Sequence, residues 1–149
     1  MKPTKVADDG TERDPWEQRE AGLVREEPEV QRKYDLEERT ARFGEAVIDF
    51  CKLIPRWPHT DRLIDQLVGC GTAIGANYCE ADDAVSKREF TVKTNTCRKE
   101  AREAKYFIRI VARACPDLKP NARTLWLEAR ELHLIFCAIY RRSSEDRRE

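Results

Sequence analysis

Residues 86–115 read SKREFTVKTNTCRKEAREAKYFIRIVARAC. Phe90, Cys97, Ala101, Ala104, Ile108, Val111 and Cys115 recur here at intervals of three, four or seven residues. That spacing puts them on one stripe of an α-helix, close to a heptad progression. Ser86-Lys87-Arg88-Glu89 has the capping-box form, with Val85 and Phe90 spaced for a hydrophobic staple, and Pro116 is a stop. The stretch predicts a helix over residues 87–114, the third of four.

The same reasoning extends in both directions. Downstream of a turn over residues 117–121, Leu125, Ala129, Leu132, Ile135 or Phe136, and Ile139 mark a fourth helix that fades into the charged end 141–149. Upstream, Leu63, Leu67, Cys70, Ile74 and Asn77 or Tyr78 mark a second helix over about residues 60–80. Gly71 and Gly75 lie four apart inside it, and a mid-helix glycine costs about 1 kcal/mol relative to alanine. No G-x-x-x-x-G-K-[ST] surrounds them, so a phosphate loop is the weaker reading. A face of close helix packing that includes Gly71, Gly75 and Asn77 is the stronger one. Leu36, Phe43, Val47, Phe50, Cys51 and Ile54 define a first helix over residues 36–53, opened by the capping box Asp35 to Glu38 and stopped by Pro55 and Pro58.

Residues 1–34 carry three prolines and mostly charged side chains without sustained period, which predicts a disordered or loosely helical charged tail. A docking arm is the alternative to a solvated one. The expected organisation is therefore a tail over 1–34, a bundle over 35–142 and a charged end over 143–149. Four amphipathic helices joined by short turns predict an all-α, antiparallel up-down-up-down four-helix bundle, because short connections make neighbours antiparallel.

The chain of 149 residues is 40% apolar and 38% charged, as befits helices with one buried and one charged face. Lysine plus arginine balance aspartate plus glutamate at 28 each, so net charge selects no partner. No run approaches the roughly 20 apolar residues that span a bilayer, and residues 1–10 lack the apolar core of a secretory signal. A cytoplasmic protein without membrane partners is expected. Its six cysteines are scattered singly with no C-x-x-C, which favours packing over metal or redox chemistry.

Helical bundles can house carboxylate-bridged metal pairs, which need Glu-x-x-His motifs. His59 and His133 are the two histidines, and neither has a glutamate three residues before it. No G-x-S-x-G is present, and no cysteine stands in a recognisable catalytic setting. Asp82 and Asp83 suit a solvated turn better than a cation loop. No catalytic residue, metal site or cofactor is predicted, and the chain reads as a non-enzyme.

Charge geometry offers more. Residues 86–115 hold nine lysines and arginines against three glutamates, and Arg98, Arg102, Lys105, Arg109 and Arg113 follow one another by four, three, four and four. They form a ridge roughly 90 to 150 degrees from the core stripe of an ideal helix. Such a ridge can track a phosphate backbone; it can also be solvated, or paired with the more acidic first and second helices of another subunit. Tyr106, Phe107 and Ile110, with Trp126 and Leu127 of the fourth helix, form a second apolar set outside the stripes. Surplus apolar surface of this kind points to self-association.

One further pattern bears on identity. Gln66-Leu67-Val68-Gly69-Cys70-Gly71-Thr72-Ala73-Ile74-Gly75-Ala76-Asn77-Tyr78-Cys79-Glu80-Ala81 resembles the signature Q-L-x-R-S-x-x-S-I-x-A-N-I-x-E of the four-helix-bundle proteins encoded in 23S rRNA intervening sequences. The likeness continues through Ser86-x-x-Glu89-Phe90 and residues 99–107, and covers about residues 35–142. Gly69-Cys70 replaces the usual Arg-Ser, and Ala73 replaces a serine. The resemblance implies a non-catalytic bundle that assembles as a homopentamer. A related branch is similar to the accessory variability proteins of diversity-generating retroelements, which partner a reverse transcriptase and contact nucleic acid. Those proteins are strongly basic, whereas this chain is neutral. The leading expectation is a homo-oligomeric adaptor for RNA or DNA, with a reverse-transcriptase-like enzyme as a possible partner. The alternative is a protein–protein scaffold that binds no nucleic acid.

Overall fold

The computed structural model describes residues 36–146, so the expected tail over 1–34, the Asp35 cap and residues 147–149 lie outside the described residues. Four helices follow one another: α1 (Leu36–Lys52), α2 (Pro58–Asp82), α3 (Lys87–Ala114) and α4 (Lys119–Glu145), with a 3-10 turn over Pro116–Leu118. Each packs against its sequence neighbour, and α4 returns to touch α1, which closes an antiparallel four-helix bundle.

The ends explain the boundaries. Beyond α1 the chain tightens as Leu53 N–H and Ile54 N–H donate to the carbonyls of Phe50 and Cys51. Pro58 opens α2, two residues earlier than the periodicity suggests, because the first helical position has no N–H to satisfy. Thr60 fixes this corner from a fully buried position. Its hydroxyl accepts from Trp57 N–H at 2.8 Å and donates to the Pro55 carbonyl. At α3, Ser86 Oγ accepts from Glu89 N–H at 3.1 Å, and the Glu89 carboxylate accepts from Val85 N–H at 3.0 Å. The expected staple does not form: Val85 is 94% exposed.

The largest departure lies between α3 and α4. Residues expected to turn over 117–121 instead make one 3-10 turn and resume as helix at Lys119, with Pro120 in the first turn of α4. At its far end α4 continues to Glu145, where the hydroxyls of Ser143 and Ser144 donate back to the Tyr140 carbonyl.

In the core, the first half of the α3 stripe is built of small side chains (Thr94, Cys97, Ala101, Ala104), and Ile108 and Val111 follow. The largest fully buried side chains are Phe43 of α1 and Phe136 of α4, with Leu67 and Ile74 from α2. Phe136 reaches across the interior to meet Tyr78 edge-on at 5.9 Å. The buried threonines Thr40, Thr91 and Thr94 donate to carbonyls of their own helices, as expected of hydroxyls removed from water. The α1–α2 seam is narrow at the glycines. A Cβ on Gly71 would lie 2.7 Å from Val47 Cγ2, and one on Gly75 would lie 3.2 Å from Thr40 Oγ1. Across the other side of α1, Arg39 donates to both carboxylate oxygens of Glu128 on α4, at 2.7 and 3.1 Å.

Candidate nucleic-acid interface

The ridge on α3 is set against α4, and the two helices hold part of it in place. Arg98 donates from Nε and Nη2 to Asn95 Oδ1 at 3.0 and 2.8 Å, and its guanidinium lies over the Tyr140 ring, 5.3 Å from the centroid. Lys105 Nζ sits 5.2 Å from the centre of the Trp126 ring. Both cations are half-buried, whereas Arg102, Arg109 and Arg113 are exposed. Cation–π contact fixes a charge without neutralising it, so Arg98 and Lys105 still present positive charge.

α4 adds cations that the spacing along α3 could not reveal. At the helical advance of about 100 degrees per residue, Arg123, Arg130 and Arg141 fall on one flank of α4, the flank that carries Cys137. The pairings Lys105–Trp126 and Arg98–Tyr140 set the register of the two helices, and Arg141 lines one depression with Arg98. The α3 ridge and Arg141 of α4 together make a basic seam. The signal was present in sequence as spacings of seven and eleven, but it becomes informative only when the register of α3 against α4 is known.

The field of this seam is felt by His133. Burial first, then Lys105, Arg98 and Arg102, hold its imidazolium below the usual histidine range. His133 Nε2 lies 3.5 Å from Cys137 Sγ, one turn further along α4.

The apolar set expected to lie outside the core divides. Tyr106 is 58% exposed and meets Phe107 edge-on at 5.1 Å. Phe107, Ile110 and Leu127 are half-buried, and Phe107 and Leu127 pack against the core of their own chain. Trp126 corrects the expectation: it is 4% exposed and belongs to the chain's own core. Its ring fills the α3–α4 seam under Lys105, so a position beside the apolar stripe is inside when a neighbouring helix leans over it. Leu134, seven residues after Leu127, is half exposed and was not picked out by the sequence.

Elsewhere the chemistry is quiet. Asn77 donates to the Ala73 carbonyl of its own helix at 2.8 Å. Burial pushes the thiols of Cys51 up to about 11 and of Cys70 and Cys97 up to about 12, and raises that of Cys115. Such thiols stay protonated and act as small apolar groups. Among the described residues no three His, Cys, Asp or Glu side chains gather as a metal site, and no helix is long and apolar enough to cross a membrane. An open groove of about 760 Å³ between α1 and α4 is lined by Phe43, Phe50, Leu53 and Leu125, with the Arg39–Glu128 pair among its walls.

No protein-family model and no curated protein matches the chain. A solved structure does: a protein of unknown function from the S23 ribosomal protein family of Bacteroides thetaiotaomicron VPI-5482 superposes with a TM-score of 0.64 at 22% identity. The match covers 70% of this chain and 97% of that one. At this identity the likeness concerns the fold: two chains with few residues in common build the same bundle.

Proposed function

We propose that the chain is a non-enzymatic homo-oligomeric adaptor that associates with nucleic acid, with a reverse-transcriptase-like partner, or with both, and that the basic seam of α3 and α4 is its nucleic-acid surface. One observation carries this reading. Arg98 and Lys105 of α3 lie on aromatic rings of α4, Arg102, Arg109 and Arg113 are exposed along the same ridge, and Arg141 of α4 lines one depression with Arg98. Positive charges arrayed along a rod suit a phosphate backbone, and neutralising each phosphate releases counterions. Five copies is the assembly number that the sequence resemblance implies. Tyr106, Phe107, Ile110 and Leu127 are the side chains assigned to self-association.

The test is a titration of structured RNA and of duplex DNA, read by fluorescence anisotropy across a range of salt. Affinity is expected to fall steeply with salt, and replacing Arg102 and Arg109 by glutamine is expected to weaken binding by about tenfold or more. Binding that is absent at low salt, or indifferent to these changes, rules the reading out.

The protein–protein scaffold remains the second reading, and the exposed Tyr106 and Leu134 favour it, because apolar surface beside a charged seam is what a protein interface uses. It predicts an assembly of unchanged size in the double glutamine variant, with no nucleic acid bound by either protein.

A further inference from the structure

Six thiols are distributed over the bundle, and the fold sorts them. Cys51, Cys70, Cys97 and Cys115 are sealed in the core. Cys79 and Cys137 reach the surface, in opposite electrostatic settings. Cys79 of α2 shares a shallow depression with Glu37 and Glu45 of α1. Cys137 of α4 opens into a depression of about 470 Å³ lined by Arg98, Tyr140, Arg141, Ser144 and Glu145.

We infer that Cys137 and His133 form a reactive-thiol site that captures small anionic disulfides, of the glutathione kind, as a mixed disulfide. Three features of the geometry support it. First, Cys137 Sγ has a base at 3.5 Å, His133 Nε2. With its proton on Nδ1 the neutral imidazole accepts the thiol hydrogen, and it is neutral because burial, Lys105, Arg98 and Arg102 disfavour its charged form. Second, Arg98 is held in place from two sides. Asn95 and the Tyr140 ring hold it at the rim, where it and Arg141 can receive a carboxylate. Third, the charged groups around the pair come from both helices: Arg98, Arg102 and Lys105 from α3, Arg141 and Glu145 from α4. Four of these five are cations, so the local field draws anions in.

The chemistry balances without a cofactor. The Cys137 S–H bond breaks, its proton passes to His133 Nε2, and the sulfur attacks one sulfur of the incoming disulfide. The old S–S bond breaks as the new one forms. The departing thiolate takes a proton from the imidazolium and leaves as a free thiol. One disulfide and one protein thiol become one mixed disulfide and one small thiol. The site needs no nucleic acid and is tested apart from the function proposed above.

The test treats the full-length native protein with disulfides of graded charge: anionic dithiobis(nitrobenzoate), neutral dithiodipyridine and cationic cystamine. Adducts are located by peptide mass spectrometry, and the rate at Cys137 is divided by that at Cys79, which cancels the intrinsic reactivity of each reagent. The ratio is expected to exceed about tenfold with the anionic reagent, to shrink in high salt, and to fall step by step through the neutral to the cationic one. His133→Gln is expected to slow Cys137 several-fold with all three reagents and to leave Cys79 unchanged, with the fold checked by circular dichroism. A ratio that ignores reagent charge, faster anionic labelling of Cys79, or a Cys137 that stays unlabelled in the native protein overturns the assignment. Should the histidine variant fail to fold, the charge series on the unaltered protein decides the matter alone.

Discussion

A methyl group added at Gly71 would press on Val47 at 2.7 Å, whereas one added at Gly69 meets nothing within 4 Å. The two glycines sit two residues apart in the same helix, yet alanine should act on them in opposite directions. Gly69→Ala is expected to stabilise the protein by about 0.5–1 kcal/mol, because it removes backbone freedom from the unfolded chain at no steric cost. Gly71→Ala is expected to cost about 1–3 kcal/mol, since α1 must move away or Val47 must leave its rotamer. Urea denaturation of both variants checks the pair, and a shared sign would mean that the α1–α2 approach is looser than described. His133 provides a pH test at the same scale. Its folded pKa lies below the unfolded value of 6.5, so the unfolded chain takes up the proton first as pH falls. Stability contributed at neutral pH should therefore be lost as pH drops through 6.5 towards the folded value. Glu100, whose carboxyl is raised by burial and by Glu103, works in the opposite direction at lower pH. The difference in melting temperature between the parent and His133→Gln isolates the histidine, and it should close as the pH is lowered.

Helix ends show which local signals carry structural information. The Ser86 cap is made as its spacing suggests, so Ser86→Ala is expected to cost about 1 kcal/mol. The staple at Val85 is not made, so Val85→Ser should change stability by less than about 0.5 kcal/mol. Chemical denaturation of the two variants separates a cap that works through a hydrogen bond from one that works through apolar contact. The long stripe of α3 was legible because it repeats over three heptad steps, Phe90 to Cys97 to Ala104 to Val111, and ends at a proline. The start of α4 was not, because Asp117, Pro120 and Asn121 are turn-forming types that a first helical turn also accepts. Trp126 was misplaced for a related reason: a helix packed against neighbours on two sides buries a wedge wider than one stripe.

For the whole molecule, the decisive quantity is the register between helices, which no single helix reveals. The α3 part of the basic seam could be read as a spacing, but Arg141 joins it only once Tyr140 is seen beneath Arg98. The same register creates the Cys137 site. Assembly tests the surface as a whole. Ile110→Asp is expected to shift the mass measured by light scattering from oligomer towards monomer, because a carboxylate on a buried apolar seam is strongly disfavoured. A seam of this kind should persist in high salt, whereas one held by ion pairs between subunits should dissolve. A monomeric parent protein would remove the self-association half of the proposed function.

The four sealed thiols carry a practical consequence. While the helices stay together, Cys70 and Cys97 are shut off from oxidants and Cys51 and Cys115 are largely screened. Once they come apart, every sulfur in the chain is exposed at the same time, and partners that are never neighbours natively can be welded together. In air, heating should therefore become a one-way process, and recovery on cooling should depend on whether a reductant was present.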